Sequence, residues 1–224
     1  MCGIVGHVGP LTPSERSLTV LMDGLGRLEY RGYDSAGVAL AGPGGLDVVK
    51  AAGKLDNLRE ALAAAPPPPA VSGIGHTRWA THGGPTTVNA HPHRAGSIAV
   101  VHNGIIENFR ALRTEVEAAG RELLSATDTE VVAHLLDLDL AARLDAAGEA
   151  LDETGVAALL VESMRAVTSR LEGAFALLAV TELAPGVIVA ARRSSPLVIG
   201  LGEGESFLGS DVAAFVAFTR RAAE

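Results

Sequence analysis

The sequence predicts a single layered α+β domain, and three observations carry that reading. Short runs rich in β-formers alternate with helical stretches through the first two thirds of the chain. The last third is a succession of short β runs separated by Gly or Pro, the pattern of an antiparallel meander. No internal repeat or composition shift divides the 224 residues, of which 48% are hydrophobic, enough for a sizeable core. The 18 basic and 26 acidic residues give a formal net charge of -8 with no block of Lys or Arg, so a phosphate backbone is an unfavoured partner. No stretch reaches the roughly 18 apolar residues of a membrane span, and no basic n-region precedes an apolar one. A cytoplasmic location is expected. With one cysteine, no intramolecular disulfide or thiolate cluster can form.

Taken in order, Cys2 to Gly9 reads as a strand. Thr12-Pro13-Ser14-Glu15 has the form of a capping box with proline at the first helical position, opening a helix whose Leu18, Leu21, Met22, Leu25 and Leu28 share one face and which stops near Tyr30. Ala36 to Ala41 and Leu46 to Lys50 form a hairpin across Gly42-Pro43-Gly44-Gly45. A helix from about Leu55 to Ala65 ends at the four prolines Pro66 to Pro69, a surface connection because β-rich sequence resumes at Val71. Ser97 to Val101 is a strand and Glu107 to Ala119 a helix closed by Gly120. Helices are expected over about Asp128 to Leu138 and Val156 to Leu171. Strands are expected over Ala174 to Thr181, Val187 to Ala191, Leu197 to Gly200 and Ser206 to Gly209.

Cys2 is the sharpest chemical signal. A small second residue permits removal of Met1, which leaves a thiol and a free α-amino group on one residue. Reference values of about 8 for the amine and about 8.5 for the thiol allow proton exchange near neutrality, whereas a lysine near 10.4 would need a far larger shift. From position alone, a cysteine after Met1 reads more readily as a small buried hydrophobe at the start of a strand. Among the histidines, His91 and His93 flank Pro92, but no further Cys or clustered acid supplies the remaining ligands of a metal site, so no metal or other cofactor is expected. His102 beside Asn103 reads as support for that segment.

Six ordered motifs change the weighting of Cys2: MCGIVG at the start, LEYRGYDSAG at Leu28 to Gly37, GHTRWATHG at Gly75 to Gly83, NAHPH at Asn89 to His93, VVHNGIIEN at Val100 to Asn108 and TDTEV at Thr127 to Val131. Together they resemble the glutaminase domain of the glutamine:fructose-6-phosphate amidotransferases, class II amidotransferases with an N-terminal nucleophile. The likeness runs from the first residue to about Thr219. It implies a four-layer α/β/β/α sandwich of two antiparallel sheets. It also implies hydrolysis of the glutamine side-chain amide through a Cys2 γ-glutamyl thioester. The ammonia would serve glucosamine-6-phosphate synthesis once joined to a sugar-phosphate isomerase domain. The chain stops at Glu224, so residues 1–224 are expected to be one glutaminase domain with the isomerase region absent and the full-length form a homo-oligomer.

By the same resemblance, Asn103 and Gly104 supply the oxyanion donors. Arg78 takes the glutamine α-carboxylate with Thr81 and His82 completing the grip, and Asp128 takes the α-ammonium. Without the resemblance, Asn103-Gly104 would read as a turn following a strand, and each charge as a solvated surface residue. Asp128 also suits the N-terminal cap of the following helix. Arg31 would lie near the thiol and favour the thiolate, but pairing with Asp34 or Glu29 to fix its turn is an open alternative. Trp79 would belong to a loop over the glutamine site, the alternative being a core aromatic. A noncatalytic glutamine-binding module is the rival reading, disfavoured because a sensor has no use for the nucleophile. Hydrolysis of a different amide is disfavoured by the pairing of Arg78 with Asp128.

Overall fold

The computed structural model describes residues 2–80, 83–148 and 150–223. Among the described residues there are eleven strands: β1 Gly3–Val8, β2 Ser35–Gly42, β3 Gly45–Ala52, β4 Ser72–Arg78, β5 His93–Ala95, β6 Ile98–Ile106, β7 Gly173–Thr181, β8 Ile188–Arg193, β9 Val198–Leu201, β10 Ser206–Gly209 and β11 Ala222–Ala223. The helices are α1 Arg16–Leu28, α2 Leu55–Ala64, α3 Phe109–Ala118, α4 Thr129–Ala147 and α5 Glu153–Arg170. A seven-stranded sheet has the order β11-β9-β10-β1-β4-β2-β3 and a four-stranded sheet the order β5-β6-β7-β8. Every strand pairing within them is antiparallel.

Alternation along the strands builds four layers from these two sheets. On β1, Val5 packs with Val20, Leu21, Leu25 and Leu28 of α1, while its neighbour Ile4 faces the other way. Ile4 and Ile74 meet Ala99 and Val101 of β6 and Ala176, Leu178 and Val180 of β7, so the two sheets share an apolar interface. The opposite face of β6 and β7, with Ile98, Val100, Phe175 and Leu177, packs on Val131, Leu135 and Leu136 of α4 and on Leu160 and Met164 of α5. The result is the expected α/β/β/α sandwich. Each fully buried Leu or Ile contributes roughly 1.5–3 kcal/mol. Among the described residues, no helix is long and apolar enough to cross a membrane.

Several local expectations are corrected. The capping box does not form: α1 begins at Arg16, and Ser14 is instead bridged to Ala70 as an extended residue, with its Oγ accepting the Arg16 N–H at 3.3 Å. Pairing with the segment after the proline run wins over local capping. Helix α4 continues past Leu138 to Ala147 because its last turns are mostly Ala, Leu and Arg, good helix formers, with Leu140 buried, and Gly148 at φ 70° closes it. The final meander is antiparallel but divided, since β7 and β8 belong to the small sheet and β9 and β10 to the large one.

Candidate active site

The site is a continuation of the inter-sheet core. Side chains two apart on a strand share a face, so Cys2 follows Ile4 on β1, His76 and Arg78 follow Ile74 on β4, and Asn103 follows Val101 on β6. The ladder pairs Ile4 with His76 and Gly3 with Thr77. One step further brings Cys2 to the end of β4, where the Trp79 N–H donates to its Sγ at 3.2 Å and the thiol reaches the Trp79 carbonyl at 3.6 Å. Asn103 Nδ2 donates to the Cys2 carbonyl at 2.9 Å, across the two sheets. An amide nitrogen carries two hydrogens, so Asn103 keeps a second N–H at the cavity that it lines with Cys2.

Asn103 and Gly104 do not follow a strand as a turn: they lie within β6, paired with Ala176 and Phe175 of β7. Gly104 holds φ at 138°, and a Cβ there would stand 2.0 Å from the Ala174 carbonyl oxygen. A side chain is excluded twice, by conformation and by space, which is why glycine follows the asparagine.

Arg78, Asp128, Cys2 and Gly104 line one small cavity together with Trp79, His91, His102, Thr127 and Thr129. Arg78 is buried and its Nη1 and Nη2 donate to the carbonyls of Gly84 and Gly83 at 3.1 and 3.2 Å. Burial pushes its guanidinium down from the ordinary arginine value, opposed by Cys2, Asp34 and Asp128. Asp128 stands at the N-terminal cap of α4 but its carboxylate makes no capping bond. It accepts the Ile106 N–H instead, at 2.9 Å, which ties α4 to β6 at the cavity.

A second, larger cavity on the other side of the thiol is lined by Cys2, Arg31, Trp79, Asn103, Gly104, Ile105 and Ser194 to Pro196. Arg31 bonds neither Asp34 nor Glu29. Its Nη2 meets Asp211 Oδ2 at 3.1 Å and its Nη1 the Ser210 carbonyl at 3.3 Å, while Asp34 accepts the Ala80 N–H and Glu29 accepts the Leu55 N–H. The glycine beside it follows from crowding, since a Cβ on Gly32 would lie 2.7 Å from the Arg78 carbonyl carbon. Trp79 is 45% exposed and edge-on to Tyr33, so it is a surface loop residue, not a core one. Thr81 and His82 lie outside the described residues, as does Met1.

Burial raises the Cys2 thiol pKa above its ordinary value; the Trp79 N–H and the charge of Arg78 oppose that shift, and Asp34 adds to it. The thiol is therefore held mainly protonated until a base takes its proton. His102 Nδ1 meets Thr129 Oγ1 at 3.0 Å, on the α4 side. Its backbone carbonyl accepts His76 Nε2 at 3.0 Å, so His102 supports the segment carrying Asn103, as its place beside that residue suggested. His76, Ile105, Ser194 and the Ser210-Asp211 pair stand at the site without being marked by the motifs as functional residues. For His76 a signal existed, because it alternates with Ile74 and Arg78 in IGHTR and so shares their face.

Residues 85–217 match the glutamine amidotransferase domain family. The chain is 60% identical over 226 residues to glutamine--fructose-6-phosphate aminotransferase [isomerizing] of Streptomyces coelicolor, covering 100% of this chain and 34% of that protein. The protein of that name from Mycobacterium tuberculosis is 54% identical over 228 residues, again with 100% of this chain and 34% of the relative covered. The chain thus spans about a third of the length of these curated relatives. Among solved structures, glutamine phosphoribosylpyrophosphate amidotransferase from B. subtilis, complexed with ADP and GMP, superposes with TM-score 0.74 at 26% identity over 97% of this chain and 44% of that one. A structure described as the allosteric regulatory enzyme of purine biosynthesis gives 0.76 at 27% identity over 100% and 45%. The chain belongs to the glutamine amidotransferase domain family.

Proposed function

We propose that residues 1–224 form one glutaminase domain in which Cys2, freed of Met1, hydrolyses the side-chain amide of L-glutamine to glutamate and ammonia. The observation that carries this reading is the convergence of a thiol, a buried cation and a buried anion on one small cavity, lined by Cys2, Arg78 and Asp128. A free amino acid presents one carboxylate and one ammonium, and each buried charge needs an opposite partner. Arg78 takes the carboxylate, assisted by Thr81 and His82, and Asp128 takes the ammonium.

The α-amine of Cys2 accepts the thiol proton, directly or through a water. Sγ then attacks the δ-carbon of glutamine, and the carbonyl electrons become an oxyanion held by Asn103 Nδ2–H and the Gly104 N–H. Deleting one such donor typically costs about 3–4 kcal/mol of transition-state stabilisation. The intermediate collapses as the C–N bond breaks, the α-ammonium returns its proton to the leaving nitrogen, and ammonia departs. Water then adds to the γ-glutamyl thioester with the amine again as base, releasing glutamate and restoring the thiol. Arg31 adds a cation on the Cys2 side that favours thiolate over thiol; its ion pair with Asp211 fixes it there and moderates that effect. Trp79 covers the site from the loop.

In the whole protein the ammonia passes to a sugar-phosphate isomerase domain that converts fructose 6-phosphate to glucosamine 6-phosphate, a step of hexosamine biosynthesis. This reading is supported by the name of the relatives that the chain matches along its full length. We place the enzyme in the cytoplasm, where a lone thiol stays reduced, and as a homo-oligomer in its full-length form. The test is glutamate release from glutamine by the N-terminally processed chain, with N-terminal sequencing of the same sample. Turnover by a chain beginning at Cys2 supports the reading, and a processed, folded chain that binds glutamine without releasing glutamate contradicts it.

A further inference from the structure

We infer that His76 is a positioning residue that fixes which face of the Asn103 amide meets the thiol; the inference rests on the oxyanion role given to Asn103 above. His76 Nε2 lies 3.0 Å from Asn103 Oδ1 and 3.0 Å from the His102 carbonyl oxygen. A backbone carbonyl only accepts and cannot rotate away from its strand, so Nε2 must carry the proton. An Nε2–H donor in turn requires Oδ1, not Nδ2, of Asn103 on its side. The opposite edge of the amide is set independently by the Cys2 carbonyl, which requires the donor Nδ2 at 2.9 Å. A flipped amide would place two donors together at His76 and two acceptors together at Cys2, losing a bond at each end.

The tautomer is protected by its surroundings. His76 is fully buried, and its Nδ1 has no hydrogen-bond partner among the described residues. The His91 ring stacks on it with centroids 4.2 Å apart and an interplanar angle of 19°. Burial lowers the His76 pKa to about 3, so the ring remains neutral throughout the working pH range. A neutral ring with one designated donor is what the amide needs, because a second proton would add a charge beside Arg78. His76 touches none of the reacting atoms and acts through Asn103 alone.

The experiment compares His76→Phe, which keeps a ring but removes the donor, with His76→Gln, which retains an N–H at similar reach, in wild-type and Asn103→Ala backgrounds. His76→Phe should lower kcat for glutamate release about a hundredfold, on the scale of losing one oxyanion donor, with KM for glutamine changed less than about threefold. His76→Gln should recover most of that loss. In the Asn103→Ala background, His76→Phe should cost less than about threefold more, since the group it orients is already gone. Full multiplication of the two losses, or a fall confined to KM, would overturn the inference. Nitrogen-15 NMR of the histidine rings in wild-type protein reads the tautomer directly: a proton on Nε2 of His76 supports the inference and one on Nδ1 overturns it, even if the variants misfold. That measurement also separates the two proposals, because a protein that does not hydrolyse glutamine but shows the Nε2–H tautomer fails the activity and keeps the amide lock.

Discussion

The carboxylate of Asp128 accepts the backbone N–H of Ile106 at 2.9 Å, so the residue that opens α4 anchors the strand carrying Asn103 and Gly104. Two consequences can be separated by substitution. Asp128→Asn keeps a side-chain oxygen for Ile106 but removes the charge, and should raise KM for glutamine at least about tenfold, with kcat reduced much less. Asp128→Ala should in addition lower stability by about 1–3 kcal/mol, because it leaves the Ile106 N–H buried and unpaired. Glutamine titrations of activity and urea melts of both variants check this; equal stability of Asn and Ala variants would show that the bond to Ile106 carries no weight.

Gly104→Ala tests the backbone beside the asparagine. With φ at 138° and the Ala174 carbonyl 2.0 Å from the added Cβ, β6 and β7 must separate locally. Glutamate release should fall at least about a hundredfold, because the oxyanion donors move with the strand. Unaltered turnover in the Gly104→Ala variant would mean that this conformation is dispensable.

Acid should destabilise the fold before carboxylates titrate. Burial lowers the pKa of His76 to about 3, and those of His91 and His93 well below the ordinary histidine value. Such groups bind protons in the unfolded chain and not in the folded one, so stability is intact above about pH 7 and is lost as pH falls through the unfolded value near 6.5 toward the folded one. For His76 alone the loss at pH 5 is about 2 kcal/mol. His91 and His93 act in the same direction. Thermal melts at pH 7.5 and pH 5 should therefore differ by at least about 4 °C, the lower pH being less stable. A Tm flat across that interval would contradict neutral burial of these rings.

The layers were legible in the sequence because they follow from periodicity. Leu21, Leu25 and Leu28 mark the buried face of α1, and the β runs at both ends of the chain form strands, although the final meander is divided between the two sheets. The failures came where a distant partner outweighed a local preference. Ser14 is drawn into a bridge with Ala70, and Asn103-Gly104 is held in a ladder by Ala176 and Phe175 although the pair locally favours a turn. Arg31 has its acid at Asp211, 180 positions away, so nearby Glu29 and Asp34 were the natural but wrong candidates for its partner. The motifs name residues that the fold brings to one cavity. The contact of His76 with Asn103 was not legible, since it depends on atoms from another sheet meeting one ring nitrogen.

Trp79 is the sole tryptophan, 45% exposed and in edge contact with Tyr33, so its emission reports on one loop. Saturating glutamate should draw Arg78 onto the ligand carboxylate and carry the adjoining Trp79 into a less solvated setting, shifting emission to shorter wavelength. Fructose 6-phosphate alone should leave the spectrum of residues 1–224 unchanged. An emission spectrum indifferent to glutamate, or responsive to the sugar phosphate alone, would contradict the placement of the glutamine site beside this loop.

A covalent bond between Cys2 Sγ and the glutamine side chain should be trapped by rapid acid quench during turnover. Peptide mapping by mass spectrometry of the N-terminally processed chain should find a γ-glutamyl group on the Cys2 peptide in the steady state, absent without glutamine and absent in Cys2→Ala, whose glutamate release should fall at least about a thousandfold. Turnover that persists in Cys2→Ala above about a thousandth of wild type would contradict the account.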